Sequence, residues 1–202
     1  MLETLVQGAL LGGLYTLFAL GQSLMFGVMR LTNTAQGDFI ILGAFAVIAG
    51  MSLTGGEAPW LVALAVLPVA FGFGYLLQRY VLNGTLGKDP LPSLVVTFGL
   101  SIVIQNLLLE LFSADPRAIE TGGLSTQGVA LGEAMSVGVL PLVVLAVALT
   151  ATGALQWLFA RTALGRSFRA VSDDREIAEL MGLNAKKVYA LATAIAFVLI
   201  AI

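Results

Sequence analysis

The sequence predicts an all-α, polytopic membrane helix bundle with five complete spans and a truncated sixth. Three observations carry this. Hydrophobic residues make up 58% of the chain and charged residues only 11%, against about 25% charged in a soluble domain. So little charge cannot cover a 202-residue globule in water. The charges also leave long gaps: 26 uncharged residues between Glu3 and Arg30, 20 between Asp89 and Glu110, and 27 between Glu133 and Arg161. A membrane helix needs about 20 mainly apolar residues. Finally, the basic residues recur on alternate connections, as short loops between membrane helices require.

The gaps place the spans near 5–29, 37–54, 59–79, 91–112 and 135–160. The first is expected to stay in the mature protein: Glu3 stands where a signal peptide carries basic residues, and the apolar run is too long for one. Gly8 and Gly12 in this span, and Gly72 and Gly74 in the third, are read as packing positions, since small residues let helices approach closely. After Lys187 only 15 residues remain, "VYALATAIAFVLIAI". They reach about 22 Å as a helix, short of a hydrocarbon core of about 30 Å, so a cut within a longer chain is expected. The whole of 1–202 is read as one partial transmembrane domain.

Nine of the ten basic residues fall on one side: Arg30, Arg79, Lys88, Arg161, Arg166, Arg169, Arg175, Lys186 and Lys187. Arg117 alone falls on the other. The bias puts the N-terminus outside and the charged loop 161–187 in the cytoplasm. The connection 113–134 becomes a polar external loop. Arg161, Arg166 and Arg169 can also meet lipid headgroups. Glu110 is placed at the outer interface.

The densest charge lies in "RAVSDDREIAELMGLNAKK", 169–187. Asp173 and Glu176 have capping-box spacing. Asp173, Asp174 and Glu176 lie in a first turn, where carboxylates suit the helix dipole. Ile177, Leu180 and Met181 share one face, with Ala178 inside the same short helix. Gly182 is a natural stop, and Asn184 caps the next helix. Two readings of the helix 173–182 stand at this point: a solvated or surface connector, and a docking helix for a cytoplasmic partner.

Polar residues within spans are informative because hydrocarbon penalises them. Thr97, Ser101 and Gln105 repeat every four residues and face one way, with Asn106 adjacent. They, like Gln22 and Ser23, either hydrogen-bond between helices or line a pathway. The segment Asn33 to Asp38 is either a short inner loop or a break that brings backbone into the membrane. Asp38 is read as a cap for the helix that follows, ahead of a substrate contact. The middle of every span then lacks charge, which argues against a proton-coupled carrier.

Covalent chemistry is not expected. There are no cysteines and no histidines, no mid-span carboxylate pair is read, and the three lysines sit at the inner face. No metal site or cofactor is expected, and nothing points to nucleic acid.

Two stretches carry a family resemblance. "FRAVSDDREIAELMGLNAKKVYALATAIA" resembles the cytoplasmic loop of ABC importer permeases for branched-chain amino acids, through Arg169, Ala170, Asp173, Asp174, Ala178, Gly182, Leu183 and Asn184. "GALLGGLYTLFALGQSLMFGVMRLTNTAQGDFIILGAF" resembles the opening of the same permeases, through Phe26, Gly27, Val28, Arg30, Asn33, Ala35, Gly37 and Asp38. Gln36 departs from the His of many relatives, and Thr34 from a common Phe. The likeness is nearest to the first of the two paired permease subunits; urea and short-amide importers use similar ones. It implies a bacterial inner-membrane pathway subunit, a related or identical second permease, two ATPase subunits and a periplasmic substrate-binding protein. The chain lacks a Gly-x-x-x-x-Gly-Lys-[Ser/Thr] loop, so ATP hydrolysis falls to a partner. Under this resemblance 173–182 is the coupling helix, and Gln22, Asn33, Gln36, Thr97, Ser101 and Gln105 are candidate pathway residues.

Overall fold

The computed structural model describes residues 2–55, 59–87, 91–113, 128–130 and 136–202. The helices are α1 (Leu2–Met29), α2 (Gln36–Thr54), α3 (Pro59–Tyr80), α4 (Leu91–Phe112), α5 (Val139–Arg161), α6 (Ala163–Asp173), α7 (Arg175–Leu180) and α8 (Ala185–Ala201). A 3-10 turn, Leu82–Gly84, follows α3. Before α5, strands β1 (Gly128–Ala130) and β2 (Ser136–Gly138) pair antiparallel, Val129 opposite Val137. The fifth span therefore starts at Val139 rather than near 135. Most of the expected external loop lies outside the described residues. Among the described residues, α1 to α5 are the five helices long and apolar enough to cross a membrane.

The 17-residue α8 is the centre of the bundle. It packs most extensively on α3 and then on α1. Ala190, Ala192, Ala194 and Ala196 are all buried, and their small side chains admit neighbouring backbones closely. Gly74 does the same from α3, where an added Cβ would stand 2.8 Å from Cβ of Phe197. Phe197 also gathers Phe39 and Phe73, with ring centroids 4.6 and 5.7 Å away. Among the described residues, Gly8, Gly12 and Gly72 have no neighbour within 4 Å of an added Cβ. Of the four expected packing glycines Gly74 alone is closely packed, and Gly13, against Leu145, and Gly21, against Ala196 and Ile200, join it.

A hydrogen-bond chain running from the core to the surface ties α3 to α8. Thr193 Oγ1 donates to Gln78 Oε1 at 2.7 Å, Gln78 Nε2 donates to Asn83 Oδ1 at 3.1 Å, and Asn83 Nδ2 donates to the Lys186 carbonyl at 3.3 Å. Gln78 and Thr193 are fully buried. Thr193→Val and Gln78→Leu should each cost about 1–2 kcal/mol by stranding the partner. The double variant should cost less than the sum, because both changes break one contact. Thermal unfolding midpoints of the purified protein in detergent measure this.

The connection from α1 to α2 is not a short inner loop. Arg30 leaves α1 with φ 53, and its N–H still bonds the Phe26 carbonyl. The chain then climbs back beside the helix it has left. Gln36 Nε2 reaches the carbonyl of Phe18 at 3.4 Å, 11 residues before Met29 and so about 16 Å up α1. Leu31, Asn33 and Ala35 are buried as it passes. This is the helix break: α2 begins inside the bundle. Such backbone is tolerated at membrane depth only where protein or water covers it.

Candidate functional site

Two sites emerge, one at the buried start of α2 and one at the basic end of the bundle.

At the start of α2, the regular polar spacing of α4 meets the re-entrant segment. Thr34 Oγ1 and Thr97 Oγ1 lie 2.8 Å apart, and Thr97 also accepts the Thr34 N–H at 3.3 Å. One turn further, Ser101 Oγ donates to Asp38 Oδ2. After another turn, Gln105 Nε2 donates to Asp38 Oδ1 at 3.0 Å and to Ser101 Oγ at 3.2 Å. All three α4 residues thus hydrogen-bond to a neighbouring element, Thr97 to the re-entrant segment and Ser101 and Gln105 to α2. Asn106 does not join them; its Nδ2 bonds its own helix at the Ile102 carbonyl.

Asp38 requires a correction. The residue at the N-cap position of α2 is Ala35, with no side-chain cap bond, while Asn33 Oδ1 accepts the Ala35 N–H at 3.1 Å. The Asp38 side chain turns to α4 instead. Ser101 lies 10 residues after Leu91 and 11 before Phe112, about 15 Å from either end of α4. The centre of each span's own sequence is uncharged, but the Asp38 carboxylate, in the first turn of α2, stands level with the middle of α4. The cause is the climb of residues 30–35, which carries Asp38 inward.

The polar groups here exceed their partners. Asn33 Nδ2, Gln22 Oε1 and Gln36 Oε1 are buried atoms without a hydrogen bond among the described residues. Gln105 is exposed and Asp38 half-buried. An Asp facing hydrocarbon at a helix centre costs about 3 kcal/mol, so this face suits a wet cavity or another protein rather than lipid.

At the basic end, α6 is an element the sequence reading missed. Gly165, Phe168 and Val171 are buried along its inner face, a helical repeat hidden among charged and polar residues. Ser172 Oγ donates to the Gly27 carbonyl at 2.6 Å, and Arg169 Nη1 donates to the Phe159 carbonyl, pinning α6 to α1 and α5. The expected helix 173–182 is consequently two pieces. Asp173 ends α6, the chain turns at Asp174, and α7 spans Arg175–Leu180. The cap is Asp174, whose Oδ1 accepts the Ile177 N–H at 3.0 Å, rather than the Asp173–Glu176 box. Packing of α6 on the bundle keeps Asp173 helical and passes the cap to the next residue.

The stop falls where expected. Gly182 has φ +87, and the Leu183 N–H returns to the Ala178 carbonyl at 3.0 Å, as in a Schellman closure. Asn184 Oδ1 then caps α8 through the Lys187 N–H at 3.1 Å. Arg175 and Glu179 pair at 3.1 Å on the surface of α7. Ala178 faces inward and is buried. Ile177, Leu180 and Met181 project outward, 59%, 86% and 81% exposed. Beside α7, a cleft of about 680 Å³ is lined by Arg30, Gly87, Asp173, Asp174, Arg175 and Glu176 among others.

Among the described residues, no group of three or more His, Cys, Asp or Glu is placed to hold a metal ion. The family model for the permease component of branched-chain amino acid transport systems matches residues 4–202. The chain is 28% identical to the high-affinity branched-chain amino acid transport system permease protein BraD of Pseudomonas aeruginosa, a match covering all of this chain and 68% of BraD. It is 26% identical to the LivH permease proteins of Salmonella typhimurium and Escherichia coli K12, matches covering 94% of this chain and 65% of each relative. The chain thus spans about two thirds of the length of these relatives. No solved structure matches. A match over nearly every residue, on a helical membrane bundle, places this chain in the family of permease components of branched-chain amino acid transport systems.

Proposed function

We propose that this chain is the pathway-forming permease subunit of an ATP-driven importer for branched-chain amino acids in a bacterial inner membrane. It works with ABC ATPase subunits, a second permease and a periplasmic substrate-binding protein. Its N-terminus lies outside and the 161–187 loop in the cytoplasm, as the basic bias favours. The observation that carries the reading is α7: a capped helix held off the basic end, with Ile177, Leu180 and Met181 left in solvent. A solvated connector has no need of three such residues, whereas a docking helix uses them as anchors and its charges for register.

The geometry supports a route from this helix to the pathway. α7 closes through Gly182 and Asn184 onto α8. α8 runs through the bundle, and its Ala196 carbonyl and Ile200 lie against Gly21. On the same spot Gln36 at the start of α2 approaches, its Nε2 2.9 Å from an added Gly21 Cβ. Movement of α7 by an ATPase therefore acts on α8, and α8 on the polar break that carries Gln36 and Asp38. Gln22, Asn33, Gln36, Thr97, Ser101 and Gln105 are assigned to the pathway around that break.

The test is ATPase activity of the full-length permease assembled with its ATPase and binding protein, titrated with leucine, isoleucine, valine and urea. Stimulation by the three aliphatic amino acids is expected. Stimulation by urea alone keeps the mechanism and moves the chain to the urea and short-amide importers. No stimulation in an assembled complex leaves α7 a connector.

A further inference from the structure

We propose that Asp38, presented by Ser101 and Gln105, receives the ammonium group of the amino acid as it crosses the membrane. The proposal rests on the transport reading above and adds to it the group that recognises the substrate's positive end.

Four observations carry it. The Asp38 carboxylate stands about 15 Å from either end of α4, judged from its Ser101 partner. Among the described residues its two oxygens take side-chain bonds from neutral donors, the Ser101 hydroxyl and the Gln105 amide. A carboxylate offers about four acceptor positions, so capacity remains for further donors. Among the described residues the one ion pair is Arg175–Glu179, in α7, and Asp38 has no cation of its own. Third, no described residue covers Gln105, which is exposed. Fourth, Ile102 and Leu109 stand three residues before and four after Gln105, 47% and 56% exposed, and so share its face. A carboxylate beside an exposed aliphatic stripe matches a ligand with an ammonium group and a branched hydrocarbon chain. An intramembrane carboxylate without a cationic partner calls for one, and the ligand brings it.

The binding protein also reads the ammonium group of an amino acid, so the test omits it. The full-length permease with its ATPase subunits is placed in lipid nanodiscs. Saturation-transfer NMR compares L-leucine with 4-methylpentanoate, which has the same chain and carboxylate and no ammonium. The wild type should bind leucine at least about tenfold more tightly, as a hydrogen bond to a charged group implies. Asp38→Asn should bring leucine down to the level of the acid, and Asp38→Glu should keep most of the preference. Equal binding of the two probes by the wild type overturns the proposal, and this comparison decides even where Asp38→Asn does not assemble. An intact preference in Asp38→Asn overturns it as well. Loss in Asp38→Glu as complete as in Asp38→Asn, with the complex assembled, assigns the residue to packing and overturns it too. Absence of leucine binding alongside ATP-driven leucine uptake in the presence of binding protein removes this site and leaves the transport reading standing.

Discussion

Gly165→Ala is expected to prevent recovery of folded protein. Thr162 turns the chain from α5 into α6: its Oγ1 accepts the Gly165 N–H at 3.1 Å and donates to the Leu158 carbonyl at 2.7 Å. This folds Gly165 directly onto the last turns of α5. An added Cβ would stand 2.5 Å from Phe159 Cα and 2.6 Å from the Phe159 carbonyl, and against the Leu158 carbonyl as well. All three are backbone atoms, so no side chain can swing aside. The cost is about 3 kcal/mol, the upper end of ordinary overpacking. Phe168, fully buried three residues on, would be levered out with α6, and α7 would lose its support. Leu164→Ala, at the neighbouring and partly exposed position, is expected to stay within about 0.5 kcal/mol. The monodisperse fraction after detergent extraction, followed by gel filtration, separates the two.

The second large effect is on docking. Replacing Leu180 and Met181 together by Asp removes no side-chain contact within the chain: both side chains are in solvent, Met181 closes α7 through its backbone N–H, and the N-terminal cap is Asp174. Affinity for the ATPase subunits should nevertheless fall by about 2 kcal/mol, roughly thirtyfold, as expected for central apolar anchors. Charge reversal at Asp174 or Glu176 should lower uptake and ATPase coupling while the protein still inserts. Co-purification of the ATPase with each variant reads the effect directly. Full co-purification of the Leu180→Asp, Met181→Asp double variant contradicts the docking role.

Local chemistry was the legible part of the sequence. Charge-free gaps located five spans, and the positive φ of Gly182 and the cap at Asn184 follow from residue type alone. The every-fourth-residue spacing of Thr97, Ser101 and Gln105 revealed a polar face on α4. What it met was hidden, because Asp38 lies 63 residues from Ser101 in sequence. The climb after Arg30 depends on a non-glycine residue at φ 53, which no composition rule signals. α6 did carry a signal, at Gly165, Phe168 and Val171, but the surrounding arginines made the segment read as loop. The centrality of α8 was obscured by its length. Its row of alanines, at Ala190, Ala192, Ala194 and Ala196, was the cue that backbones close in on it.

ATP-driven import is read out by leucine uptake into proteoliposomes. The full-length permease, its ATPase subunits and its binding protein are reconstituted together, with ATP supplied on the ATPase side. Accumulation of leucine that requires both ATP and binding protein, and that persists when a protonophore collapses the proton gradient, is the expected result. Accumulation that follows the proton gradient without ATP would contradict ATP-driven import and favour a secondary transporter.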